Sequence, residues 1–321
     1  MGRLFKPPNR GVYKPQDKQT FPSFFPTREH AGVSPGEPLL SLAAQAEFYI
    51  VLVELLAKNE KLSFSVRRLN DKIQAHTDKL KKTGSNLQIT FHPEINFEAI
   101  SAEYQHDKRV RVQSLIPMDQ AEQVYNSLSK EAPYKLALLR DGRPTTLADN
   151  EWKQLPDNQK QRIHTETMQN AAKGVGFIYG RYQLSNQKEP IANLAALHQW
   201  LNSEAVLSWV REISGHHDIV AASAQATRYT AGQFLTRHMD THSTEQRRLA
   251  YVLSFSPNWH PDWGGLLQFY EKNGTPRDAW APGFNTLSIF DVEHIHSVTY
   301  ITPFSLTPRL SVTGWFRATP L

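Results

Sequence analysis

The chain has no cysteine among its 321 residues. That excludes disulfides, thiolate metal sites, iron–sulfur clusters and cysteine nucleophiles together. Any metal must therefore be held by histidine and carboxylate. The absence also fits a reducing compartment, and a cytoplasmic location is expected. Long apolar runs are missing too. The longest, Phe48 to Ala57, is short for a membrane span and carries Glu54. No secretory leader is visible, and the opening residues after Gly2 lack the Ser or Thr of a myristoylation site. No membrane partner is expected. No basic stretch is interleaved with aromatics as a base-stacking surface requires, and the sequence has no internal repeat.

What is present is ample for a core: 40% hydrophobic and 11% aromatic residues. Twenty Pro and sixteen Gly indicate a loop-rich chain. The net charge is +5, and residues 1–86 hold 14 Lys and Arg against 8 Asp and Glu, so the basic excess sits at that end. Residues 1–37 are basic, Pro-rich and without periodicity, which predicts a disordered arm. Such an arm could make weak RNA contacts, and it equally suits a solubilising tail. Residues 38–85 show helical spacing with a break near Asn59 to Ser63, which predicts a helical hairpin.

The texture changes at Leu87. Residues 109–117 alternate like a strand, and 118–132 read as a helix beginning near Asp119. Residues 144–173 read as helical and polar. Residues 191–215 read as two helices closed by Gly215. Beyond Gly215 come six or more short β-rich runs separated by Gly, Pro, Asn and Asp, the pattern of a sandwich or barrel.

Within this β-rich part stands Arg237-His238-Met239-Asp240-Thr241-His242. His238 and Asp240 are two apart, so at a strand end both side chains leave one face. A third ligand must come from a distant strand, and His294 and His296 are the candidates. Alternation puts His296, Val298 and Tyr300 on one face and favours His296. Two His and one carboxylate form the facial set typical of non-haem Fe(II) oxygenases, with coordination positions left open. If the electron source is 2-oxoglutarate, its far carboxylate needs a buried cation. Arg309 shares a strand face with Ser311, Thr313 and Trp315 and supplies a bidentate fork. Tyr229 could add a phenolic hydrogen bond. Leu267, Val298, Thr313 and Trp315 are expected to wall the pocket, with no catalytic residue beyond the iron ligands. Gly264 and Gly265 are expected to permit a bulge or a close backbone approach. His242, His260 and His294 are expected to be solvated or to lie behind the ligands, and His216-His217 is assigned no role.

His238-x-Asp240, His296-Ser-Val and Arg309-x-Ser-Val-Thr-x-Trp315 resemble the prolyl-4-hydroxylase-like branch of the Fe(II)/2-oxoglutarate-dependent dioxygenases. So do residues 251–270, around Trp263-Gly264-Gly265, and residues 224–242. Within the branch the likeness is closest to the Tpa1/Ofd1-like prolyl hydroxylases and their bacterial relatives. It spans about Asn96 to Phe316. The resemblance implies a mainly β core with helical support: a double-stranded β-helix, or jelly roll, preceded by an α-helical N-terminal segment. The dioxygenase domain would cover 86–321 with its core barrel at about 218–320. It further implies Fe(II) on His238, Asp240 and His296, 2-oxoglutarate and O₂ as co-substrates, and ascorbate as a reductant. Hydroxylation of a prolyl residue in a protein, a ribosomal protein in eukaryotic members, would follow, with succinate and CO₂ as co-products. Two other readings stay open: a hydroxylase of a free amino acid or small metabolite, and a non-catalytic ligand-binding or oxygen-sensing module.

Overall fold

A computed structural model describes residues 87–185 and 187–321. The arm and helical hairpin expected over 1–85 lie outside the described residues, as does any RNA contact of the arm. The described chain begins with helix α1 (Phe97–Asp107), strand β1 (Arg109–Gln113) and helix α2 (Met118–Lys130). Strands β2 (Lys135–Arg140) and β3 (Arg143–Leu147) then form a hairpin. Helices α3 (Asp149–Gln154) and α4 (Asp157–Ala172), strand β4 (Phe177–Gln183), and helices α5 (Ala192–Leu201) and α6 (Glu204–Ser214) complete this half.

Eight strands follow without a further α-helix: β5 (Ala221–Tyr229), β6 (Phe234–His238), β7 (Arg247–Phe255), β8 (Leu267–Tyr270), β9 (Pro276–Trp280), β10 (Phe284–Asp291), β11 (Ile295–Val298) and β12 (Arg309–Arg317). All pairings are antiparallel. One row runs β10-β7-β12-β5 and the other β6-β11-β8-β9. Apart from β8 and β9, which pair as a hairpin within the second row, successive strands alternate between two four-stranded rows, which is the winding of a double-stranded β-helix. Strand β4 bridges the rows by pairing with β5 through Gly180–Gln183 and with β6 through Phe177 and Ile178, and β1 extends the first row beyond β10.

The two faces of the first row carry opposite chemistry. Leu310, Val312 and Phe316 of β12, with Leu249, Tyr251, Leu253 and Phe255 of β7, join a large apolar cluster shared with the helices. Ala222, Ala224 and Ala226 of β5 sit on that face, small enough for α5 and its Leu197 and Trp200 to approach. The inward face carries Arg309, Ser311 and Thr313, then Gln225, Thr227 and Ser254. The largest apolar cluster lies outside the barrel, which leaves one end of its inside free to be polar, while smaller clusters around Leu267, Phe269 and Phe290 and around Tyr229 and Val298 pack within it. Gly314 belongs to the outer face, where a Cβ would collide with the Ser223 carbonyl and the Tyr251 hydroxyl. Its absence lets that hydroxyl donate to the Ser223 carbonyl at 2.8 Å.

Several expectations hold. Residues 118–130 form the amphipathic α2, burying Ala121, Val124 and Leu128. The two helices of 191–215 are α5 and α6; Ser203 caps α6 at its start and Gly215, at φ 76°, ends it. The eight strands after α6 run from Ala221 to Arg317. Two readings need correction. The strand at 109–117 stops at Gln113, because Ser114 turns to φ 51° and Asn285 takes over the backbone bonding of Leu115 and Ile116. The helical reading of 144–173 fails at its start: Arg143–Leu147 pairs with β2 as a strand. Its Pro-Thr-Thr sequence suits an extended edge, and helix begins only at Asp149.

Candidate metal centre

Strands β6 and β11 are neighbours, and His238 stands directly opposite His296 in their register. Asp240 follows the end of β6, fixed by its own N–H donating to the Val292 carbonyl at 3.1 Å. The Asp240 carboxylate lies between the two rings, Oδ1 at 3.5 Å from His238 Nε2 and Oδ2 at 3.4 Å from His296 Nε2. One ligand atom from each residue falls within 4.8 Å of the others, and this is the one such His/Asp/Glu grouping among the described residues.

The far side of each ring is also held. His238 Nδ1 lies 3.0 Å from the Thr236 carbonyl, and His296 Nδ1 lies 2.9 Å from the His294 carbonyl. A carbonyl only accepts, so each Nδ1 is the protonated nitrogen and each Nε2 presents its lone pair to the shared centre. Burial pushes the Asp240 carboxyl up, but when no metal is bound and the imidazoles carry Nε2 protons, their hydrogen bonds override it and hold the group far below the usual carboxylate range. Burial likewise lowers the His238 imidazole, and the Asp240 carboxylate more than reverses that. Two imidazoles and one charged carboxylate on one side of a cavity fit a divalent first-row metal with open positions opposite.

His294 does not belong to the set. Its ring turns away and its Nε2 meets the Asp107 carbonyl at 2.9 Å; only its backbone serves the centre. Exposed His242 and His260 bond nearby backbone amides, and His216 lies 3.5 Å from Asp291.

The cavity beside the ligand set has a volume of about 210 Å³. All nine residues expected at the site reach it: His238, Asp240, His296, Arg309, Tyr229, Leu267, Val298, Thr313 and Trp315. Arg309 is 2% exposed and has no carboxylate partner among the described residues. Its Nη1 donates to Ser311 Oγ at 3.3 Å, its Nε is buried without any partner, and its guanidinium lies 5.3 Å from the Tyr229 ring centre. Burial lowers its proton affinity, yet a guanidinium stays charged at neutral pH. A buried cation without an anion is costly, so this end of the cavity suits an anionic group that the described residues do not supply. Gly264 and Gly265, at φ 72° and 64°, bring the backbone against Tyr300, Ile301 and Arg309 where a Cβ would collide.

Sequence reasoning missed the wall from β4. Phe177 and Tyr179 face the cavity, and Tyr179 stacks on Tyr229 with ring centres 4.9 Å apart. The alternation Phe177, Tyr179, Arg181 after Gly174 and Gly176 was the available signal. Gln225, Thr227 and Leu235 were likewise missed; they lie on the strands beside the named residues.

Residues 224–317 match the 2OG-Fe(II) oxygenase superfamily. The prolyl 3-hydroxylase OGFOD1 of Mus musculus is 31% identical over 140 residues, 41% of this chain and 25% of that protein. OGFOD1 of Xenopus laevis is 30% identical over 145 residues, 43% of this chain and 27% of that protein. The chain thus spans about a quarter of the length of these curated relatives. Among solved structures, a Pseudomonas putida prolyl-4-hydroxylase aligns over 70% of this chain and 100% of that one, with TM-score 0.47 and 18% identity. A Trichoplax adhaerens prolyl hydroxylase, solved with a hypoxia-inducible-factor peptide fragment, aligns over 69% and 89%, with TM-score 0.48 and 13% identity.

Proposed function

From a chain that carries a 2OG-Fe(II) oxygenase domain over residues 224–317, we propose an Fe(II)- and 2-oxoglutarate-dependent dioxygenase that hydroxylates a prolyl residue of a protein. His238, Asp240 and His296 are the metal ligands, and Arg309 with Tyr229 binds 2-oxoglutarate. The carrying observation is Arg309, a buried guanidinium without a carboxylate in the same cavity as the His/Asp/His set. Fe(II), when bound, supplies the electrons that activate O₂ together with 2-oxoglutarate. The chain's own residues do the rest. The Thr236 and His294 carbonyls keep both Nε2 atoms unprotonated and aimed inward. Arg309 and Ser311 fix the distal carboxylate of the co-substrate, while Tyr179, Tyr229 and Val298 keep water from its chain. Leu267, Thr313 and Trp315 bound the space left for the reacting C–H bond.

The prolyl target rests on the curated relatives, which are prolyl 3-hydroxylases, so C3 is the expected position. A ribosomal protein in the cytoplasm is the first substrate to try, with ascorbate as reductant. The test begins without oxygen. Fe(II) and then 2-oxoglutarate are added to metal-free protein, and a weak visible charge-transfer band is expected. The band should vanish in His296→Ala and persist in His294→Ala. Its absence from folded, metal-loaded wild type would overturn the proposal.

A further inference from the structure

A second pocket, of about 380 Å³, opens on the reaction cavity and shares with it Tyr179, Gln225, Thr313 and Trp315. Besides polar Gln183, Ser185 and Ser223 and apolar Ala224 and Leu321, its remaining wall carries Arg181, Arg247 and Arg317 with a single carboxylate side chain, Glu245. The inner row of β12 leads there, from fully buried Arg309 and Ser311 to half-buried Thr313, Trp315 and Arg317. Arg317 lies about 13 Å along the strand from Thr313. Arg181 is on the matching face of β4, opposite Thr227.

The three arginines are not equivalent. Arg247 pairs with Glu245 at 2.7 Å and lies over the Trp315 ring at 3.5 Å, so its charge is already matched. Arg181 donates to Thr146 Oγ1 at 3.2 Å and Arg317 to Thr319 Oγ1 at 2.9 Å. Neither forms a close ion pair among the described residues, although Arg181 also meets the Tyr179 hydroxyl and Arg317 acts on Glu245 at longer range, and both are half-buried. Two guanidinium forks in a partly desolvated pocket set a positive potential above the reaction cavity. They suit a carboxylate, which each fork can hold by two parallel bonds. A nucleic-acid strand would instead call for a row of cations along a groove. The larger groove on the barrel, of about 670 Å³, is mostly apolar and meets the cavity only at Leu235 and Val298. Its arginine, Arg237, is engaged by the Tyr270 ring and the Gly274 carbonyl.

We infer that the substrate enters through the arginine-lined pocket and that Arg181 and Arg317 hold a carboxylate of the substrate while its target carbon lies beside the metal ligands. The inference rests on the hydroxylase reading and assigns the class of substrate: a chain with an acidic group near the target residue. That group is either an acidic side chain or a terminal carboxylate.

The test uses the full chain with Fe(II) and 2-oxoglutarate. Proline-centred peptide pools with acidic, neutral or basic flanks are supplied, each with an amidated and a free C-terminus. Substrate-stimulated succinate formation and hydroxylated product are measured. Acidic pools should lead by about tenfold in kcat/KM, as expected for a charge-assisted hydrogen bond. Stimulation by amidated acidic pools identifies a side chain; stimulation confined to free C-termini identifies a terminal carboxylate. The double variant Arg181→Glu, Arg317→Glu should reverse the order, so that basic pools lead, which misfolding could not produce. Equal response to all pools, a lead by basic pools on wild type, or no stimulation by any pool overturns the inference. Failure of the hydroxylase reading looks different: wild type then forms no succinate from 2-oxoglutarate even without peptide.

Discussion

At the scale of single residues, Arg309 makes the sharpest prediction, because its cost and its use can be separated. Without an anion it is an uncompensated buried charge. Arg309→Met should therefore raise the melting temperature of the protein measured without 2-oxoglutarate. The same variant should lose the thermal shift that 2-oxoglutarate gives the wild type, which is about 2.7 kcal/mol at a hundredfold excess over Kd. A variant that melts lower and still responds to 2-oxoglutarate would sink the anion-site reading. For the ligand set, His238→Ala and Asp240→Ala should abolish succinate formation with far-UV circular dichroism unchanged, and turnover retained in both would refute it. These residues were legible because the chemistry demands few types at fixed intervals: His and Asp two apart, one further His, one Arg on an inward strand face. His294 and His296 are an equal choice by composition. Alternation favours His296, and in the structure the His294 ring turns toward the Asp107 carbonyl.

At the scale of elements, legibility followed periodicity. The helices over 118–130 and 192–214 bury one face each and announce themselves, as does β12, whose odd residues are polar and even residues apolar. Strands β2, β3 and β4 did not. β3 is short, exposed and begins Arg143-Pro144, so it has no buried face to imprint a pattern. β4 carries Gly180, whose missing side chain admits the Arg228 carbonyl and the Tyr134 side chain, and that interrupts the alternation on which a strand is recognised. One further prediction belongs here. Gly314→Ala places a methyl group against the Ser223 carbonyl and the Tyr251 hydroxyl. The β5–β12–β7 contact should lose about 2–3 kcal/mol, read as a lower urea midpoint with an unchanged slope. An unchanged midpoint would mean that the helix-side face of β12 has room that the geometry denies.

For the molecule as a whole, the separation of two interiors matters most. The largest apolar core lies between sheet and helices, where Leu253, Phe255, Leu310 and Phe316 join Leu197, Trp200 and Val210. Chemistry resides inside the barrel, among Ser, Thr, Gln, Arg and the ligand set. Chelation should accordingly abolish turnover while leaving secondary structure intact, with the unfolding transition cooperative and only modestly lower. Loss of native circular dichroism on adding a chelator would show that the metal holds the fold. This division also explains why the barrel could be read from the sequence before its helical support. The inner row bears residues with a job, whereas the outer row bears only apolar residues that many architectures would bury.

The direct pairing of His238 with His296 carries a last consequence. Between them in sequence lie β7, β8, β9 and β10, and all must be threaded before the two rings face each other. A slip of one residue between β6 and β11 would send His296 to the outer face. A nascent or misthreaded chain therefore holds three scattered side chains and no centre. On the hydroxylase reading, oxidative power is withheld until the barrel has closed, and the protein is spared its own reactivity during the interval when it is least protected.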